Sequence, residues 1–383
     1  MPTLTFYNLG NADTCRIDLA DGRKMLVDYA ATRSDDDEDK RADLPKLLQE
    51  NLEEADRDCF NVVAFTHLDK DHIQGSTEFF WLEHAKKYQG DDRIKMNEMW
   101  VPAAVITEDD VEYDEAKVLQ KEARHRLIEG KGIRVFSRPE RLEEWLKKQG
   151  IALEDRKRLI TDAGQLVPGF KKTDAGGVGF FIHSPHAKRL DDGGIEDRNG
   201  DCLVFQARFR AEGVDTDVLM TGDAKHETWV EVVYITRSKK NDDRLHWDVY
   251  KLPHHCSYTA IGPEKSTKIS PDKTPPVDQV KWLCEEQGAD RCIIVSPSDP
   301  IPEKGTDKDK DDQPPHHEAA NYYKDDVTGP KDGQFLVTMS EPSEKNPKPI
   351  IIEIGSKGAI KKIAGAGGFG VITGSTSPRA GRW

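Results

Sequence analysis

Short apolar runs, each ended by a polar cluster, recur along the chain and alternate irregularly with longer amphipathic stretches. The runs predict strands at 4–9, 24–29, 62–65, 99–103, 133–136, 178–183, 203–209, 218–221, 249–252, 292–296, 335–339 and 350–354. The amphipathic stretches predict helices near 43–56, 76–88, 112–129, 139–149, 224–237, 278–287 and 317–324. Strands outnumber helices early in the chain, and several are close enough for hairpins. The pattern therefore fits an α+β sandwich of sheets flanked by helices better than a strictly alternating doubly wound fold. Residues 31–40 and 303–313 are charge-dense and poor in apolar side chains, and 261–277 is rich in Pro, Ser and Lys, so all three read as loops.

Three of these strands end in chemistry. Val62-Val63-Ala64-Phe65 stops at Thr66 and is followed by His67, Asp69, Asp71 and His72 before Gly75. Two imidazoles and two carboxylates on one loop form a mixed N/O set suited to Zn²⁺, Mn²⁺ or Fe, and too rich in nitrogen for a dedicated Ca²⁺ or Mg²⁺ cage. Val218-Leu219-Met220 ends in Thr221-Gly222-Asp223, where the glycine lets the backbone turn and present the carboxylate. The run 249–252 is closed by Pro253, and His254 and His255 follow on the loop. Taken singly, a Gly-Asp pair is usually a turn and a His pair a surface loop. What is informative is that all three sets of ligand types stand at strand ends.

At this point the chain resembles the metallo-β-lactamase-fold hydrolases. THLDKDHIQG looks like their HxHxDH signature, TGD like their later aspartate motif, and PHH like their last histidine motif. The HxDxDH form, with LGNADTCRIDL, GRKMLVDYA, NGDCLVF and DVYKLPHHCS, is most similar to the branch of the cytoplasmic domain of the DNA-uptake protein ComEC and its stand-alone relatives. The resemblance spans roughly residues 3–300, and reaches 354 if the last strands belong. It implies an αββα metallo-β-lactamase sandwich holding one or two divalent ions, Zn²⁺ or Mn²⁺, at the rim between its sheets. By motif position, His67, Asp69, Asp71, His72, Asp223 and His254 become the metal ligands, with Asp223 bridging two ions. Asp28 becomes a rim residue or a support for a ligand, Asp13 a structural residue, and His255 a rim residue beside His254.

The chain also departs from the pattern. Asp69 replaces the usual second histidine, and no histidine precedes NGDCLVF. Asn199, Asp201, His183 and His186 lie in or near that neighbourhood. Cys256 stands where relatives often carry glycine. In DQPPHHEAANYY, His316 and His317 are candidates to protonate a leaving group or hold a phosphate. The residues expected to take part in catalysis are thus Asp69 and Asp71, orienting the nucleophile, and His255 and His316, moving protons.

Composition adjusts this picture without replacing it. The chain has 383 residues, 70 acids against 56 Lys plus Arg, and a net charge of −14, so it does not look like a generic nucleic-acid binder. No apolar stretch approaches the ~18–20 residues a bilayer crossing needs. No secretory signal is visible and six cysteines are scattered singly, so a cytoplasmic location with reduced thiols and no membrane association is expected. Residues 1–354 read as one hydrolase domain with charged loop insertions, and 355–383 as a flexible tail. That tail has no acid and five basic residues, and it is a candidate docking arm for a protein partner or for phosphates. Gly365 to Gly370 matches GxGxxG formally but opens no βαβ unit, so it reads as a glycine run. Oligomeric state leaves no trace in the sequence.

The function expected is metal-dependent phosphodiester hydrolysis, most simply by a nuclease. The alternatives are a small-molecule phosphodiesterase resembling the phosphorylcholine esterases, and a catalytically degenerate binding or scaffold subunit.

Overall fold

The computed structural model describes every residue except 110, 112, 174–175, 189–197, 363–371, 374–378 and 381–383. Two sheets lie face to face. The first runs, neighbour to neighbour, through Ile372–Thr373, Gly358–Lys362, Ile350–Gly355, Thr3–Phe6, Cys15–Asp18, Lys24–Val27, Cys59–Ala64, Lys95–Pro102, Ile133–Phe136 and Ile160–Thr161. The second runs through Gln334–Val337, Gly288–Ser296, Trp247–Lys251, Val214–Met220, Val204–Ala211, Gly176–Ser184 and Lys172–Thr173, with Arg379–Ala380 pairing to Val214–Met220.

Each sheet is part antiparallel and part parallel. The parallel halves begin at Lys24–Val27 in the first sheet and at Val214–Met220 in the second. Parallel strands need covered faces on both sides, and the side-chain alternation supplies them. Val62 and Ala64 point between the sheets, while Val63 and Phe65 join an outer cluster. Val218, Met220, Val249, Ile293 and Val295 likewise point inward, and Leu219, Tyr250 and Ile294 outward. The outer face of the first sheet is covered by helices Leu44–Glu54, Asp114–Glu129 and Glu140–Lys148. That of the second is covered by His226–Ser238 and by the helical turns at 278–286 and 317–328. The αββα sandwich expected from the resemblance is the architecture observed. Trp100, stacked edge-on against Phe136, Phe170 and Phe180, fills the space between the sheets.

Some expected elements differ. Only Ser76–Phe79 and the short turn Lys86–Tyr88 are helical in the stretch expected to be a helix over 76–88. The backbone N–H groups of Glu83 and His84 instead donate to the Glu122 carboxylate, each at 2.9 Å. The tail does not begin at 355, because Gly358–Lys362 pairs antiparallel with Ile350–Gly355 and buries Ala359 and Ile360. The glycine run and most of the remaining tail lie outside the described residues. All six cysteines are free. No helix among the described residues is long and apolar enough to cross a membrane.

Candidate metal centre

The ends of the two parallel half-sheets share one rim, the place where open α/β sheets bind ligands. Strand Lys24–Val27 leads into Asp28, Cys59–Ala64 into His67–His72, Val214–Met220 into Asp223, and Trp247–Lys251 into His255. The loops are locked together by backbone bonds. Asp28 N–H donates to Ala64 O at 2.7 Å, Tyr29 N–H to His72 O at 2.9 Å, Asp13 N–H to Asp71 O at 3.0 Å, and Leu203 N–H to Thr66 O at 2.9 Å. Gly222 makes the turn before Asp223 in the left-handed region (φ 49°), and a Cβ there would come within 3.1 Å of Cys202 and 3.2 Å of Thr66. Close packing as well as backbone geometry therefore requires glycine.

Asp13, His72, Asp223 and His255, all buried, bring ligand atoms within 4.8 Å of one another. His72 Nε2 lies 3.2 Å from Asp223 Oδ1, 3.7 Å from Asp13 Oδ2 and 3.8 Å from Asp71 Oδ2. His255 Nε2 is 2.8 Å from Asp71 Oδ2. Asp223 turns its other oxygen toward His67, with Oδ2 3.9 Å from His67 Nε2, and Asp69 Oδ2 approaches the same nitrogen to 3.7 Å. The carboxylate of Asp223 therefore stands between a larger set of donors and a smaller one.

The supporting contacts are those a metal ligand needs. Asp28 accepts at Oδ2 from His72 Nδ1 (2.9 Å) and is itself fixed by the Thr66 N–H and hydroxyl, each at 2.7 Å. His255 Nδ1 donates to Pro297 O at 2.7 Å. These bonds leave Nε2 of both rings turned to the centre. The Nε2 atoms of His67 and His72 are buried and make no hydrogen bond. Two orphaned imidazole nitrogens facing carboxylates are what a divalent cation would satisfy, so the residues present fit one or two ions.

The electrostatics point the same way. Burial pushes His72 down, but Asp223, Asp28 and Asp71 outweigh it and hold the ring well above its ordinary pKa. Burial pushes Asp223 up, but His72, His255 and His67 outweigh it and hold the carboxyl well below the usual range. Asp71 is lowered in the same way by His72 and His255, while burial leaves His67 lowered. Burial raises Asp13, and Lys251, which donates to its Oδ2 and to Gly222 O (3.1 Å), offsets this only in part. The pocket thus demands positive charge, which a proton on His72 provides when no metal does.

Two expectations are corrected and one residue was missed. His254 does not join the cluster. His255 does, because His254, His255 and Cys256 all adopt left-handed backbone angles (φ 49°, 52° and 65°) that swing the second ring inward. Non-glycine residues pay about 1–2 kcal/mol for such a conformation. His254 sits at the rim instead, its N–H donating to Asp223 Oδ1 at 3.2 Å. Asp13, expected to be structural, is one of the four clustered residues. Lys251 was not singled out at all, since a lysine in a strand reads as an exposed position.

The remaining candidates lie elsewhere. His316 lies outside the cluster. Its Nδ1 accepts from Tyr258 N–H (3.3 Å), its Nε2 donates to Asp312 O (3.2 Å), and burial pushes its pKa down to about 4. With both nitrogens engaged, the ring braces the loop in this conformation. His183 donates to Arg244 O at 2.9 Å, away from the centre. His186 also stays outside the cluster, and the Asn199 side chain falls outside the described residues.

No family model and no curated protein matches the sequence. Among solved structures, the chain is similar to the metallo-β-lactamase fold protein YhfI from Bacillus subtilis (11% identity, 92% of this chain and 100% of that one, TM-score 0.40). It is also similar to a diphosphatase of the PhnP family (9% identity, 78% and 87%, TM-score 0.28). A third is the class B3 di-zinc metallo-β-lactamase LRA-12 from an Alaskan soil metagenome (11% identity, 64% and 76%, TM-score 0.26).

Two predictions follow from the geometry of the centre. A metal that takes His72 Nε2 must displace its proton, and His255, which Asp71 and Asp223 raise against the lowering by burial, gives up a second. Below the folded pKa of these rings, affinity for Zn²⁺ should rise about tenfold per pH unit for each proton displaced. Competition titrations with a chelating dye across the neutral range would measure the slope, and a pH-independent affinity would contradict the assignment of His72. Asp28→Asn keeps a side chain that tolerates the left-handed angle (φ 56°) but removes the charge behind His72. It should weaken metal binding by about 10–100-fold with the fold intact, measured by the same titration alongside circular dichroism.

Proposed function

We propose that this protein is a metal-dependent hydrolase of phosphodiester bonds and that its substrate is a nucleic acid. The observation that carries the reading is the convergence of Asp13, His72, Asp223 and His255 from separate loops on one point, with His72 Nε2 buried and unbonded and Asp71 bonded to His255 beside it. A divalent ion there supplies Lewis-acid polarisation of a phosphoryl oxygen and a lowered pKa for water.

The residues of the chain do the rest. Asp28 and Pro297 O fix the tautomers of His72 and His255, so that Nε2 of each ring faces the centre. Asp69, half-buried beside His67, and Asp71, shared with His255, are the carboxylates placed to orient a nucleophile. His254, partly exposed at the rim and lowered by burial, is the ring placed to contact the substrate and exchange a proton with its leaving oxygen. It stands in place of His255 and His316, the rings expected to move protons. Phosphodiesters suit such a centre, because in a chain of net charge −14 an anionic substrate is drawn to the cation alone. The choice of nucleic acid rests on the ComEC-like motifs and on the basic tail.

The test is incubation of the purified protein with Mn²⁺ or Zn²⁺ and, in parallel, plasmid DNA, RNA and bis-p-nitrophenyl phosphate. Cleavage of a nucleic acid, abolished by chelator, is the expected result. Turnover of the small ester with every nucleic acid intact would retire the nuclease and leave a small-molecule phosphodiesterase. Inertness toward all of them after metal loading would retire the hydrolase.

A further inference from the structure

One residue along from His316, a second set of ligand-type atoms converges. His317 opens the short helix His317–Asn321, and it and Glu318 are buried to 6% and 7% exposure. Their side chains meet Asp309, which comes from the charged loop 303–313 and is held by Gly305 N–H at 2.8 Å. His317 Nδ1 contacts Asp309 Oδ1 and lies 3.4 Å from Glu318 Oε2. Glu318 Oε2 is buried without a hydrogen-bond partner and faces this point. Lys265 stands 3.9 Å from it, its ammonium already donating to Asp309 O at 2.7 Å.

A single proton on His317 Nδ1 can serve one carboxylate, and here it faces two. The second carboxylate is then buried with only a distant, committed ammonium to compensate it, which is costly in a desolvated setting. A divalent cation in place of that proton would take Nδ1 and one oxygen from each carboxylate together. Asp309, Glu318 and Asp272 against Lys265 and Lys304 leave the surroundings net negative, as such an ion needs. One imidazole with two carboxylates suits Zn²⁺ or Mn²⁺ better than Ca²⁺, which is normally bound through oxygen alone.

We propose that Asp309, His317 and Glu318 form a second divalent-metal site, separate from the rim cluster, that fastens the loop 303–313 to the start of the helix at His317. The fastening reaches the rim through the neighbouring residue, since His316 N–H donates to Cys256 O (3.2 Å) and its ring accepts from Tyr258 N–H. The site is a clamp for the loop that carries His254 and His255, and it holds whether or not the rim hydrolyses anything.

The experiment uses the full chain as wild type, E318Q, D223A and the D223A/H317A double variant, each checked for native circular dichroism. Metal content is measured by mass spectrometry after loading with ZnCl₂ or MnCl₂ and gel filtration. Trypsin cleavage at Lys304, Lys308 and Lys310 is followed with and without metal. D223A is expected to retain one equivalent that D223A/H317A lacks, and E318Q to carry one equivalent fewer than wild type. Metal should slow cleavage in the loop for D223A and leave it unchanged for the double variant. Equal metal content in wild type and E318Q, or in D223A and D223A/H317A, would overturn the site, as would a D223A protein that binds no metal.

Discussion

Asp223→Ala is expected to reduce hydrolysis by on the order of 10²–10³-fold, the scale of losing an electrostatic group aimed at the reacting centre, and to empty the rim of metal. The residue serves two sets of donors at once. Its Oδ1 faces His72 Nε2 at 3.2 Å and its Oδ2 faces His67 Nε2 at 3.9 Å. No neighbour can replace it. Asp13 is committed to Lys251, Asp71 to His255, and Asp28 to the far nitrogen of His72. The fold should survive, because the turn is made by Gly222 and the strand before it is held by the sheet. Asp223→Asn sharpens the test, since it keeps an acceptor for His254 N–H while removing the charge. The checks are kcat/KM on bis-p-nitrophenyl phosphate and metal content by mass spectrometry. Full metal occupancy in the asparagine variant would show that the charge of Asp223 is not what holds the ion.

The strand ends that build this centre were legible in the sequence for a physical reason. Strands buried on both faces read as unbroken apolar runs, so the points where Phe65, Met220 and Leu252 give way to polar residues stand out. The choice between His254 and His255 was not legible. It depends on three successive left-handed residues, and such a run of non-glycine residues leaves no mark in the composition. Asp13 was hidden because its place is set by partners far along the chain, Asp71 through the backbone and Lys251 through a contact spanning 238 positions. His316 looked catalytic because histidine pairs on loops resemble each other until their partners are known. The helix expected over 76–88 failed because a tertiary contact from Glu122 takes the N–H groups that a helix would have used. The strand Gly358–Lys362 was lost inside a segment classed by its charge, although Ala359 and Ile360 are apolar enough to be buried.

Glu122→Ala should be the counterpart of the change at Asp223, costing about 3–5 kcal/mol of stability, the cost of removing one partner of a buried ion pair. The carboxylate has no exposed side-chain surface and accepts four hydrogen bonds: from Glu83 N–H and His84 N–H (2.9 Å each), His84 Nδ1 (2.8 Å) and Arg126 Nε (2.6 Å). Arg126 is itself buried and bonded to Met96 O (3.1 Å) and Gly132 O (2.9 Å), so it cannot turn outward to find water. Alanine would leave the guanidinium with only the Glu83 carboxylate, 3.8 Å away, as counter-charge and two backbone N–H groups without an acceptor. Burial raises the Glu122 pKa, but Arg126 and the N–H donors outweigh it, and the folded value lies below the ordinary 4.5. The contribution is therefore present in full above the unfolded value and fades as pH falls through the folded one. Urea titrations should show the whole gap between wild type and variant at neutral pH and a narrower gap in acid. Because the hydrogen bonds of this network tie Glu83, His84, Met96 and Gly132 to the helix Asp114–Glu129 and none of them reaches a ligand side chain, kcat per folded molecule should not change. A gap that stayed constant into strong acid would mean that lost packing, and not the buried charge, sets the cost.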